Sequence, residues 1–395
     1  MKNSMLTLIV STAAALAVNA EETVFRGLTP DEAQLKIREL RVKGTFPDND
    51  VVFEFEGVYS FATKGLRLGP DNSSGFSPTR RVIFRAGKKG AVFTGAICLS
   101  AADFSPVTDA ATLARLRPEA RGKVLCCDLK AHGSGELKAI PDQLKAWNGF
   151  EFFTDGEPQT IARYPNEGWL EFNHGDVIER GIAANRPVGD PRGVRPGKFR
   201  YAADDPRPAA WDLAKGVWMH GYWNNDWTSD SLRIAAIDPQ EHTITTKGIH
   251  YLGIGPNTAD NPVARRYYFF NLLEELDAPG EWYVDTATSL LYWYPPAKTP
   301  ADIRFVNHDS PIVTVRDSRY VVFEGIKFEA NTGSGLELLN THDLTVRNCE
   351  FSLSHPGRTY APRRRAPPDR GLQGASRRQY RHQPLRGRPQ DAHFG

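Results

Sequence analysis

The chain has 395 residues, enough for two or three domains that each bury a core. Hydrophobic residues make up 40% and charged residues 24%, an ordinary globular balance. Lys+Arg (49) nearly cancels Asp+Glu (47), so no strongly basic footprint extends over the chain and nucleic acid is not an expected partner. The 21 Phe, 13 Tyr and 8 Trp supply many flat apolar faces, suited to cores and to stacking on sugar rings.

The N-terminus reads as a secretory signal over residues 1–20. Lys2 gives a positive start, Met5 to Val18 is apolar, and Val18-Asn19-Ala20 is a small-residue cleavage site before Glu21. A secreted or periplasmic protein is expected. No other apolar run reaches the length of a membrane-spanning helix, so no membrane partner is expected after cleavage.

Thr29-Pro30-Asp31-Glu32 predicts a helix opened by a capping box, with Leu35, Ile37, Leu40 and Val42 as its apolar side. Val51 to Glu56, Leu66 to Leu68 and Val82 to Arg85 read as strands. Asn72-Ser73-Ser74 matches a glycosylation acceptor but reads as a loop. A short helix is expected over 108–117. From Val124 to Lys247 strands and turns dominate, with Asp155-Gly156 as a hairpin turn and a Pro/Gly/Arg-dense loop over Pro187 to Pro208. Cys98, Cys126, Cys127 and Cys349 show no metal spacing, and a bridge from Cys98 to one of the adjacent pair is left open.

The segments 310–328 and 333–351 repeat with an offset of about 23 residues. Val313 falls on Leu336, Val315 on Leu338, Asp317 on Asn340, Phe323 on Val346, Ile326 on Cys349 and Phe328 on Phe351. A unit of two or three short strands cannot bury its inward residues alone, so such units stack into parallel sheets. The expected class is all-β: a parallel β-helix interrupted by an inserted β-domain, with one or two short N-terminal helices. The expected boundaries are a cap and first coils over 21–123, the insertion over 124–250, and further coils over 251–351.

After Phe351 the periodicity ends and residues 352–395 are rich in Arg and Pro. A basic tail, a solvated extension and out-of-frame translation compete. The third is favoured, because a stack cut there has no polar cap.

The segment Trp218 to Trp227 is the densest cluster of candidate binding residues. It reads either as a sugar platform, with His220, Trp223, Asp226 and Trp227 as substrate contacts, or as a core strand. Glu274, Glu275 and Asp277 lie near aromatics. They read either as part of a glycosidic acid pair or as a capped helical turn with solvated glutamates. His308, Asp309, His342 and Asp343 sit near coil corners and read as loop hydrogen-bonders. No Walker loop, His-Glu-x-x-His, EF-hand or Gly-x-Ser-x-Gly motif occurs, so no cofactor or metal is expected.

Four stretches together carry a resemblance: Phe104 to Leu116, Phe152 to Asn166, Trp218 to Trp227, and Tyr268 to Asp285 followed by Leu290 to Pro296. They are similar to right-handed parallel β-helix proteins of the glycoside hydrolase family 141 type, in the pectin-lyase-like superfamily, over about Leu40 to Phe351. The resemblance implies an all-β fold, a right-handed parallel β-helix interrupted by an inserted β-barrel-like domain, and hydrolysis of a plant or algal polysaccharide, of the α-L-fucosidase or xylanase type, with an acidic pair in coils beyond Phe351. No catalytic residue is therefore carried over. Alternatives are a β-helix polysaccharide lyase and a non-catalytic or truncated carbohydrate-binding protein.

Overall fold

The computed structural model describes residues 21–144, 149–181, 195–250, 252–255, 265–307, 310–354 and 360–363. The expected signal peptide, part of the Pro-rich loop, His308, Asp309 and residues 364–395 lie outside them. The described residues form two compact units, one from 21–98 with 304–363 and one from 99–303. The second unit is wider than the 124–250 insertion expected. Leu125–Asp128 pairs antiparallel with Leu290–Trp293, and Thr160–Ile161 pairs with Glu281–Trp282, so these flanks join it.

The first unit begins with Glu22–Arg26 and the helix Pro30–Val42. Thr29 caps that helix and Glu32 closes the capping box, as expected. The buried side is Pro30, Ala33, Ile37 and Leu40. Leu35 and Val42 point to solvent, contrary to expectation, because the 3.6-residue period keeps one stripe of about three residues per two turns on the core. Asn72 lies in the short helix Pro70–Ser73 and is 4% exposed, its Nδ2 donating to Gln34 Oε1 at 2.6 Å, so this sequon is packed.

Two parallel sheets then stack coil on coil. In one, Glu22–Arg26, Asp50–Ser60 and Val82–Thr94 lead into Val321–Glu324 and Ile326–Asn331, followed by Thr345–Arg347 and Glu350–Ser354. In the other, Leu66–Leu68, Val313–Arg316, Leu336–Leu339 and Tyr360–Arg363 pair in order. The register is the sequence offset: Val313 on Leu336, Phe323 on Val346 and Phe328 on Phe351. The last strand continues the stacking a few residues into the segment expected to fall outside it.

Each coil turns at left-handed residues spaced by the same 23. Asp317 and Asn340 both have φ of 51°, Tyr320 and Asp343 have 55° and 52°, and Gly325 and Asn348 have 70° and 55°. Asp, Asn and Gly are the residues that adopt this region at least cost. Inside, Phe25, Phe53, Phe84 and Phe323 form a ring ladder with centroids 5.3, 6.1 and 5.3 Å apart. Outside, Arg26, Glu54, Arg85, Glu324 and Arg347 occupy one row across five strands and alternate in sign.

The second unit is mainly antiparallel. Its largest sheet brings together Arg163–Tyr164, Leu170–Phe172, Arg265–Phe270, Trp218–Tyr222, Asp230–Asp238, Thr243–Thr246 and Lys198–Arg200. One face closes over a core that includes Phe172, Phe199, Met219, Trp223, Leu232, Ile244, Tyr267 and Phe269. The hairpin at Asp155-Gly156 forms as expected, both residues at positive φ and Glu157–Pro158 returning along Glu151–Thr154. The helix expected over 108–117 is shorter, Ala110–Arg115, capped by Asp109. All four cysteines are free thiols, so the bridge left open for Cys98 does not form. The Cys98 sulfur instead accepts a hydrogen bond from Arg304 Nη1. No helix among the described residues is long and apolar enough to cross a membrane.

Candidate functional site

Side chains alternate between the two faces of a strand, so parity decides which residues of the central sheet meet the core. On Trp218–Tyr222, Met219 is buried in the core while His220 and Tyr222 stand on the opposite face, half-buried. On Arg265–Phe270, Tyr267 and Phe269 enter the core while Arg266 and Tyr268 stand opposite. Register places His220 beside Tyr268 and Tyr222 beside Arg266.

Trp169 completes this outer face, just before the strand Leu170–Phe172. Its ring lies 5.1 Å from Tyr268, 5.9 Å from Tyr222 and 6.2 Å from His220. The Arg266 guanidinium sits 4.4 Å over Tyr222 and 5.6 Å over Trp169, and Arg163 sits 3.9 Å over Tyr268. His220 Nδ1 lies 3.0 Å from Ser231 Oγ, which steadies the imidazole. Ring contacts contribute about 0.5–1.5 kcal/mol each and cation–π contacts about 0.5–1 kcal/mol when exposed, so the cluster holds itself in place. It sets half-buried aromatic rings beside guanidinium and imidazole groups, the combination of group types that fits a sugar's C–H face and its hydroxyls.

Of the four residues expected to contact substrate, only His220 belongs to this cluster. Trp223 is 0% exposed in the core and its Nε1 donates to the Asp230 carbonyl at 2.8 Å, so it has no face for a ligand. Asp226 is exposed and pairs with Arg265 at 3.4 Å. Trp227 is 71% exposed. A sugar platform over Trp218–Trp227 does not include Trp223, which the alternation of side chains turns into the core. Trp169, Tyr222, Arg266 and Tyr268 were missed. Their signal was the alternation itself, at 218, 220 and 222 and at 266, 268 and 270.

Glu274 and Glu275 are buried, not solvated, and Asp277 is half-buried. Leu273–Glu275 is a single 3₁₀ turn without a side-chain cap. Glu275 is 0% exposed. Its Oε1 accepts from Trp211 Nε1 at 2.8 Å and from Arg117 Nη2 at 2.8 Å, and its Oε2 from Arg207 Nη1 at 2.8 Å. Burial pushes its carboxyl up, against the pull of Trp211 and Arg117. Glu274 accepts from Arg115 Nε at 2.8 Å, and Asp277 pairs with Arg117 at 3.2 Å. Each carboxylate is held by arginine, which suits a structural junction rather than an acid and a base facing one bond. Glu281, 3% exposed, is pushed up to about 8 by burial although it accepts two backbone N–H bonds, from Asp277 and Ala278 at 3.0 Å each. Among the described residues no group of three or more His, Cys, Asp or Glu is placed to hold a metal ion.

No family model matches the chain, and no curated protein matches it. A solved structure described as "Glycoside hydrolase" is similar with a TM-score of 0.55 and 13% identity, over 83% of this chain and 65% of that one. The likeness is one of fold, and this chain spans just under two thirds of that protein's length. A second structure, titled "The complex structure of XylC with xylose", covers 73% of this chain and 36% of its own at a TM-score of 0.21 and 10% identity.

Proposed function

We propose that this chain is a carbohydrate-active protein. In this reading the outer face around Trp169, His220, Tyr222, Arg266 and Tyr268 binds a polysaccharide or oligosaccharide. The observation that carries it is the packing of those rings within 6.2 Å of Trp169 beside two arginines, on the sheet face turned away from the core. The stacked parallel coils and their likeness to a glycoside hydrolase fold support the same class. The finer reading is a right-handed parallel β-helix glycoside hydrolase of the family 141 type. It would be secreted or periplasmic and act on plant or algal polysaccharide.

A binding protein without turnover is the second reading. What favours it is that Glu274, Glu275 and Asp277 are tied to arginines and are not available as a hydrolytic pair.

Affinity electrophoresis in gels containing xylan, fucosylated algal polysaccharide or pectin tests the class. Retardation by at least one polymer, lost in Trp169→Ala and Tyr222→Ala, is expected. Mobility unchanged in every gel overturns it. Release of reducing ends separates hydrolysis from binding, and products absorbing in the ultraviolet indicate a lyase.

A further inference from the structure

The first unit holds an open surface cavity of about 350 Å³, lined largely by exposed polar side chains. Its wall is the corner of two successive coils, facing the loop after the helix Pro70–Ser73. The coil repeat builds the wall in duplicate. Asp317 and Asn340 stand at one repeat position and Arg319 and His342 at another, the latter two joined by a parallel bridge. The result is a row of acceptors beside a row of donors, with rungs about 4.8 Å apart as in any sheet. Asn340 Nδ2 donates to Asp317 Oδ1 at 2.6 Å, which fixes the acceptor row.

The opposite side carries Asp71, Phe76 and Arg41. The Arg41 guanidinium stacks 4.6 Å over Phe76 and 5.3 Å over Phe46, and it donates to the Ser74 carbonyl. Its Nε is buried without a hydrogen-bond partner. Burial lowers its pKa, and the nearby Asp71 charge works against that.

Two arginines and two aspartates line this space, so their formal charges cancel. An anion would meet two carboxylates and a metal cation two guanidinium groups. A hydroxyl-rich neutral molecule suits both rows, since each hydroxyl both donates and accepts. We infer that this corner cavity binds one neutral saccharide unit, bridging the Asp317–Asn340 row and the Arg319–His342 row. It would be a second carbohydrate site, built from residues other than those of the aromatic face. The inference shares the ligand class of the proposed function but not its residues.

The His342 ring proton resonance, assigned by its disappearance in His342→Asn, reports on the cavity. Titrations would use D-glucose, D-galactose, D-xylose and L-fucose against D-glucuronate and D-galacturonate. At least one neutral sugar should move the signal saturably. Arg319→Ala and Asp71→Ala should each weaken that binding about tenfold or more, with the thermal melt unchanged. The doubly substituted Trp169→Ala/Tyr222→Ala protein should keep the shift, so a failed aromatic face does not remove this signal. A signal that never moves, that moves only with the uronates, or that is lost in the double variant overturns the inference.

Discussion

Asn340 Nδ2 donates to Asp317 Oδ1 at 2.6 Å, across two coils that place these residues at the same corner, each with φ of 51°. The side-chain bond and the left-handed backbone ask for the same short polar residue, and the 23-residue repeat delivers it twice.

Backbone conformation should therefore dominate substitutions at that corner. Asn340→Val should cost about 1–2 kcal/mol, the penalty of holding a branched residue in the left-handed region. Asn340→Gly should lose much less, since glycine adopts that region freely. Urea midpoints at constant m-value check this, and equal losses in the two variants would assign the effect to the side-chain bond.

The alternating row on the outer face should respond to charge reversal. Glu324 accepts from Arg85 at 2.9 Å and Arg347 at 3.0 Å. Burial resists its ionisation, but the two arginines outweigh that and lower its pKa. Glu324→Lys should cost about 1–2 kcal/mol by setting three cations side by side, and added salt should shrink the loss. A depressed carboxylate contributes stability that is present above its unfolded value near 4.5 and is lost as pH falls below it. Wild type should thus approach the Glu324→Gln variant in stability as pH falls from 5 to 3.

Glu275 should prove structural. Glu275→Ala leaves the buried Trp211 indole N–H without its acceptor and removes the carboxylate that half-buried Arg117 and Arg207 share, at a cost of about 1–3 kcal/mol. Thermal denaturation should show the loss. A variant of wild-type stability whose glycan turnover has vanished would instead make Glu275 catalytic.

Glu281 has the opposite pH signature. Its carboxyl is pushed from 4.5 up to about 8 by burial, so ionising it costs stability. The cost is absent below about pH 4.5 and grows as pH rises towards 8. The Glu281→Gln variant should gain on wild type between pH 5 and pH 8 in denaturant midpoint. Parallel curves would mean that the carboxyl is already ionised at pH 5.

Two tryptophans four residues apart should differ sharply. Trp223→Ala empties part of the core and should cost about 3–5 kcal/mol. Trp227→Ala, at a residue 71% exposed, should change stability by no more than about 0.5 kcal/mol. Guanidinium denaturation of the two variants makes the comparison.

The amino-acid sequence by itself determined the features whose physics is local. The capping box at Thr29 and Glu32, the Asp155-Gly156 turn and the 23-residue repeat all lie within short stretches of chain. A cap is a bond over three residues, and a repeat is a periodicity of one strand's pattern. What only the tertiary structure decided is which face of each alternating strand the core covers, and which distant charge answers each buried one. Alternation showed that His220 and Trp223 differ in parity, but closure of the sheet over Phe199 and Tyr267 made Trp223 the buried one. Glu275 meets Arg117 from 158 positions away and Arg207 from 68. Burial and pairing are properties of the folded surroundings, and no local pattern encodes contacts closed over such lengths of chain.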